Sequence, residues 1–151
     1  MKLNLCCSDG HLPTVQGWVN VDRVPPADEI VDLDGPWPWP ESSADEIRAH
    51  DAIEHLPDKI HTMNEAWRVL TPGGRFDIKV PTTDGRGAFQ DPQHCSLWNR
   101  NSFYYYTVGV GEWLRFRHAY GIIAAFRVVS DDEVRYNNGV IDLKIVLEAI
   151  K

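Results

Sequence analysis

Between residues 60 and 70 apolar side chains recur at intervals of three and four: Ile60, Met63, Trp67 and Leu70, with Ala66 on the same stripe. That period puts them on one face of a helix. Pro57-Asp58 opens the helix with an acid in its first turn, and Pro72-Gly73-Gly74 stops it. The period then changes. Phe76, Ile78 and Val80 alternate with Arg75, Asp77 and Lys79, which predicts a strand with one apolar face and one polar face. A parallel strand covered on both sides is apolar throughout. The alternation therefore predicts a sheet thinly covered on one side, which a second copy of the chain, as a homodimer, is a candidate to cover.

The earlier strands are shorter. Leu3 to Cys6 predict a first strand and Trp18 to Val21 a second, with Asp22 just past its end. Glu29 to Asp34 fit a third and Asp45 to His50 a fourth. The connection from Cys6 to Trp18 is close to the minimum of about 10–12 residues for a parallel crossover, so its helix is a stub of one or two turns. Val24-Pro25-Pro26 forbids regular helix in the next crossover. Gly35-Pro36-Trp37-Pro38-Trp39-Pro40 reads as an ordered loop whose tryptophans are lids over the core rather than ligand-stackers.

From Pro81 to Asn101 the pattern is that of a polar loop, and Asn101 or Ser102 is placed to cap a short helix carrying Phe103 to Tyr106. Gly109 to Tyr120 shows no usable period. The chain closes on a hairpin, Val134 to Tyr136 and Val140 to Leu147 around Asn137-Asn138-Gly139. Strands alternating with helices and ending in a hairpin predict one open α/β sheet in a single domain of 151 residues.

Composition narrows the function. No run approaches the roughly 18 apolar residues of a membrane span, and Met1-Lys2 leads straight into the first strand without a signal pattern. Three cysteines, two of them adjacent, match neither a disulfide framework nor a zinc motif, so a reduced, cytoplasmic setting is expected. The net charge of −7 argues against nucleic acid as a partner. The charge is uneven: residues 1–60 hold twelve acids against four bases, whereas residues 83–127 hold five arginines against three acids.

The candidate chemistry begins at Cys6-Cys7-Ser8-Asp9-Gly10. A strand, a tight turn of small residues and a second strand ending at a carboxylate, Asp22, make a nucleotide-binding half-site. The turn lets backbone N–H groups approach a ligand, and the acid can accept from ribose hydroxyls.

Several segments resemble the Rossmann-like class I S-adenosylmethionine-dependent methyltransferases. Asn4-Leu5-Cys6-Cys7-Ser8-Asp9-Gly10 stands where that family has an acid and a Gly-x-Gly-x-Gly loop, with Cys6 and Ser8 replacing two of the glycines. Pro38-Trp39-Pro40 before Ala44-Asp45-Glu46-Ile47 is similar to its Pro-Phe-Pro-Asp…Phe-Asp stretch. Ile53-Glu54-His55-Leu56 resembles its Leu-Glu-His-Leu, and Arg68 to Gly74 its Arg-Val-Leu-Lys-Pro-Gly-Gly. Asp91-Pro92-Gln93-His94 is similar to the Asp-Pro-x-His segment of a compact branch.

The resemblance implies an open, mostly parallel methyltransferase sheet with reduced helices, S-adenosylmethionine as cofactor and S-adenosylhomocysteine as product. It implies that the backbone of Cys6, Cys7 and Ser8 lies against the methionine part, that Asp22 takes the ribose hydroxyls, and that Asp32 and the Leu33 N–H meet the adenine. His50 and Asp51, at the end of the fourth strand, would approach the methionine amino group. His55 and His94 are candidate bases, with Asp51 or Asp91 as orienting carboxylates. Trp98 and Tyr104 to Tyr106 suit an acceptor pocket or the core equally well.

Three rival readings stay open. One is a non-catalytic partner subunit that binds the cofactor weakly or not at all. Another is a nicotinamide oxidoreductase, disfavoured because Cys6-x-Ser8-x-Gly10 lacks the Gly-x-Gly-x-x-Gly spacing. The third is a metal hydrolase built on His50, Asp51, His55 and His94, whose spacing is unlike a helix-borne zinc motif. No metal is expected, and the methyl acceptor is not named by any of these residues.

Overall fold

In a computed structural model that describes residues 1–8, 10–109 and 115–151, seven strands form one sheet in the order β3-β2-β1-β4-β5-β7-β6. Asp9 of the first turn and residues 110–114 of the aperiodic stretch lie outside the described residues. The strands are β1 (Lys2–Leu5), β2 (Trp18–Asp22), β3 (Glu29–Ile30), β4 (Ala44–His50), β5 (Leu70–Pro81), β6 (Phe126–Arg135) and β7 (Ile141–Ala149). β1 to β5 pair in parallel, and β7 enters antiparallel between β5 and β6. The predicted open sheet with its terminal hairpin is therefore the fold, and the strand order turns back at β1, which lies between β2 and β4.

The crossovers on the β1–β3 side carry almost no helix. β1 reaches β2 through one 3-10 turn, Thr14–Gln16. Between β3 and β4 the proline loop is pinned from α1 (Lys59–Val69). Arg68 donates to the carbonyls of Trp37 and Trp39 at 3.1 and 2.9 Å, and Glu65, its ion-pair partner, accepts from the Trp37 N–H at 2.9 Å. Both indoles are buried, packed edge to face with centroids 5.8 Å apart, so they are lids over the core as expected. The Asp58 side chain caps α1 by accepting from the Ile60 and His61 N–H groups.

Several boundaries differ from the sequence expectations. β5 begins at Leu70, so Leu70 leaves the helix stripe and Pro72-Gly73-Gly74 lies inside the strand. β3 is only two residues long, because Asp32 and Asp34 turn inward onto Arg23 instead of extending the strand. The polar loop contains a short helix, α2 (Gly87–Gln90). Asn99, not Asn101 or Ser102, caps α3 (Arg100–Tyr104), because Ser102 three residues later completes a reciprocal capping box with it. The first arm of the hairpin begins at Phe126, eight residues before Val134. A last short helix, α4 (Arg117–Tyr120), precedes it.

One apolar core lies on one face of the sheet. Leu3, Leu5, Ile47, Ala49, Phe76, Ile78, Val80, Leu143, Ile145 and Leu147 point into it and meet Met63, Ala66 and Val69 of α1 and Trp98 and Phe103. Trp98 and Phe103 stack at 4.9 Å, which makes Trp98 core rather than pocket wall. The intervening residues of the same strands make the opposite face, and apart from Val146 they are polar. Lys2 pairs with Glu46, His50 with Asp77, Lys79 with Asp51 and Arg127 with Glu148. The thin covering predicted from β5 extends across the central strands, and charge pairs stand where a second helical layer would bury side chains.

Candidate functional site

A cleft of about 980 Å³ opens over the carboxyl ends of β1, β2 and β4, where the strand order turns back. That is where open α/β sheets bind ligands, because the diverging loops leave a crevice between them. Its wall includes Cys6, Cys7, Ser8 and Gly10, then Asp22 and Arg23, then Val31 and Leu33, then His50 and Asp51, with His55, Leu56 and Gln93 closing one side.

The turn after β1 carries left-handed backbone without glycine. Cys6 has φ +50° and Ser8 has φ +42°. An L-residue pays roughly 1–2 kcal/mol for that conformation, and such strain persists only where the surroundings fix it. Here they do. Ser8 donates its N–H to Oδ2 of Asp22 at 3.0 Å, and Cys7 donates to the Val21 carbonyl at 3.1 Å. Beneath them buried Asn4 donates to the Gly10 carbonyl and to Asn20, whose amide bonds both polar groups of the Leu12 backbone and the Asp28 carboxylate. A satisfied polar network thus supports the turn where the stub crossover supplies no helix. The Cys6 thiol is pushed up to about 12 by burial and then by the nearby Asp22 and Glu54 charges, so it is a neutral packing group.

Asp22 lies at the cleft wall with its Oδ1 held by the Arg23 N–H at 2.7 Å. Asp32 is placed differently. Its Oδ1 accepts from the Arg23 guanidinium at 2.8 Å, and the carboxylate is held below its usual range by that bond. The cleft wall at this point is Val31, Leu33 and Arg23, with Asp32 behind the guanidinium.

His50 and Asp51 both face the cleft at the end of β4. His50 Nε2 lies 3.1 Å from Asp77, and Asp51 pairs with Lys79 at 2.5 Å. Neither Asp51 nor Asp91 orients an imidazole. Asp51 is drawn to Lys79, and Asp91 accepts from the Gln93 N–H within its own loop. The carboxylate that approaches one of the two candidate bases is Glu54. The 3-10 turn Ile53–His55 receives the loop after α2: the Cys95 and Ser96 N–H groups donate to the Glu54 carbonyl, and the Ser96 hydroxyl donates to Ile53. That docking buries Glu54 to 2% exposure and brings His94 Nε2 to 4.0 Å from its Oε1. His94 Nδ1 lies 3.2 Å from the Ala88 carbonyl, and the His55 ring packs edge-on against His94 at 5.0 Å.

Burial raises the Glu54 carboxyl to about 7, and its Oε2 has no hydrogen-bond partner. The sequence signal for Glu54 is the Glu-His-Leu motif itself, where the histidine alone is a candidate base. The donor atoms of Glu54, His55 and His94 fall within 4.8 Å of one another. At 4.0 Å the Glu54–His94 pair is longer than a hydrogen bond and longer than the roughly 3–3.5 Å between ligands that share one ion at zinc-like bond lengths. His55 borders the cleft and His94 stands behind it, which makes a line from the cleft to a buried acid.

Comparison with known proteins agrees with this geometry. Residues 19–78 match a family described as a methyltransferase domain. A 41-residue stretch is 45% identical to 27-O-demethylrifamycin SV methyltransferase of Amycolatopsis mediterranei (strain S699), and this match spans 27% of the chain and 15% of that protein's length. Among solved structures, the Burkholderia thailandensis 1,6-didemethyltoxoflavin-N1-methyltransferase, bound to 1,6-didemethyltoxoflavin and S-adenosylhomocysteine, superposes with a TM-score of 0.66 at 14% identity. That alignment covers 99% of this chain and 71% of the other. The 4+2 cyclase SpnF gives a TM-score of 0.68 at 12% identity over 99% of this chain and 74% of its own. The shared fold is that of the class I methyltransferases, and it is also the fold of a cyclase.

Proposed function

We propose that this chain, whose fold is that of the class I methyltransferases, is an S-adenosylmethionine-dependent methyltransferase. The observation that carries the reading is the backbone of Cys6 and Ser8. Both hold positive φ at the two positions where the resembled family has glycine, so the cofactor-cradling turn persists after its glycines are gone.

Bound in the cleft, S-adenosylmethionine supplies a methyl group made electrophilic by its sulfonium. The chain supplies position. Asp22 would accept from the ribose hydroxyls with the lone pairs left by Ser8 and Arg23, the Leu33 N–H would meet the adenine while Asp32, expected there too, holds Arg23 at the wall, and the Cys6 to Ser8 backbone would line the methionine part. Asp51 and His50 face the amino-acid end. On the acceptor side His55 takes a proton from the incoming hydroxyl or amine, and His94 with Glu54 behind it stabilises the charge that results. Alignment and exclusion of water provide the remaining catalysis. The acceptor is a small molecule of unassigned class. The unbridged cysteines suit the cytoplasmic location proposed with this reading.

Calorimetric titration of S-adenosylhomocysteine into wild type and Asp22→Ala tests the reading. Binding by wild type, and binding at least tenfold weaker by the variant, is expected. No heat with either protein would favour the non-catalytic partner-subunit reading instead.

A further inference from the structure

Among the described residues, the polar face of the sheet carries a half-buried cation that its neighbours leave alone, unlike Arg75 and Lys144, which are exposed to solvent. Arg48 lies on β4 two residues before His50 and on the same face, directly across from Asp77 of β5 in the strand register. An arginine opposite an acid on adjacent strands ordinarily pairs with it. Asp77 instead turns to His50, Glu46 goes to Lys2, and Asp51 goes to Lys79. The Arg48 guanidinium is left without a hydrogen bond or ion pair among the described residues, and its Nε is buried with no partner. Arg100 and Arg117 also bury an Nε, but each spends its guanidinium on another group: Arg100 on Asp131, Arg117 on the Ala124 carbonyl.

Arg48 also lines the cleft, beside Asn4, His50, Asp51 and Lys79. An unpaired, half-buried guanidinium opening into a ligand cleft is a costly arrangement unless an anion completes it. Its fork geometry selects planar oxyanions, a carboxylate above all.

We infer that Arg48 is an anion subsite on the uncovered sheet face, and that it holds the α-carboxylate of the cofactor's methionine tail. The inference rests on the cofactor reading given above. With the tail lying across the Cys6 to Ser8 turn, Asp51 would take its amino group and Arg48, three residues earlier, its carboxylate. The two ends of the zwitterion thus meet an acid and a base supplied by one strand, β4, and the turn that follows it. Where the second helical layer is missing, a side chain of the sheet itself grips the amino-acid end.

Two ligands and one substitution separate this from its alternatives. S-adenosylhomocysteine carries both the amine and the carboxylate; 5′-(3-aminopropyl)thioadenosine keeps the amine and lacks the carboxylate. Arg48→Met is expected to weaken S-adenosylhomocysteine by roughly 10- to 100-fold, the range for a charge-assisted hydrogen bond, and to leave the decarboxylated ligand unchanged. Arg48→Lys should recover part of the loss. Equal weakening of both ligands by Arg48→Met would overturn the inference, because the side chain would then be acting through the fold. Unchanged binding of both would also overturn it, and would move Arg48 to the service of an anionic acceptor. Failure of wild type to bind either ligand would remove the cofactor reading itself, a result visible before any variant is made.

Discussion

Ser8 and Asp22 are joined by a single bond, the Ser8 N–H to the Asp22 carboxylate at 3.0 Å, which ties the strained turn after β1 to the tip of β2. Asp22 therefore acts twice, once on the turn and once on the ligand. Asp22→Ala should cost about 1–2 kcal/mol of stability through the lost turn contacts and should speed amide exchange at Cys7 and Ser8. Asp22→Asn, which keeps an acceptor oxygen, should restore most of the stability and only part of the S-adenosylhomocysteine affinity. Exchange mass spectrometry and calorimetry on the two variants separate the roles.

Ser8→Gly isolates the strain. Relief of a left-handed serine is worth roughly 1–2 kcal/mol, against about 0.5–1 kcal/mol of added chain entropy. The variant should gain roughly 0.5–1 kcal/mol and melt about 1–4 °C higher. Cys6→Gly has the same backbone gain but removes a packed thiol beside the core, and should come out near neutral. Thermal unfolding of the two variants checks the difference between them.

Glu54 sets a pH signature. Its folded carboxyl titrates near 7, above the ordinary 4.5, because burial penalises the charge. Between those values the folded chain keeps a proton that the unfolded chain has released. Stability contributed by this group therefore falls as pH rises from about 4.5 to 7 and is level above, a loss on the order of 3 kcal/mol. Glu54→Gln removes the dependence. Denaturant unfolding at pH 5 and pH 8 should show the variant gaining on wild type at the higher pH, by that order. Methyl transfer by the variant should fall at the same time.

Much of this was legible along the chain because it is local. The period of α1 and the prolines that forbid crossover helices are steric facts of neighbouring residues and appear where expected, whereas β5 keeps its alternation from Phe76 but starts six residues earlier, at Leu70. The site was legible at Asp22, His50 and His55, which sit at strand ends or just beyond. It was not legible at Glu54 or Arg48. Glu54 is buried by a loop some 40 residues later, whose Cys95 and Ser96 N–H groups seat on it. Arg48 is unpaired because of what Asp77 does across the sheet. Both are consequences of partner choice between distant segments, to which a periodic pattern is blind. Asn99 was nearer to hand: Asn99-x-x-Ser102 spells its own capping box.

The three cysteines should separate by reactivity. Cys95 is exposed, whereas Cys7 is buried and Cys6 half-buried with its thiol held near 12. Thiolate is the reactive form. Limited alkylation with iodoacetamide at pH 8 should label Cys95 alone, and peptide mapping reads the order directly. Early labelling of Cys6 would contradict the packing described for the turn.

The one-sided core has a consequence for traffic. In a sheet sandwiched between two helical layers, a spent ligand leaves only by the mouth between the strand ends, and something must swing aside. Here Arg48, His50 and Lys79 beside the cleft are only half-buried, so water reaches the charged side chains that would meet a ligand's amino-acid end from the flank as well as from the mouth.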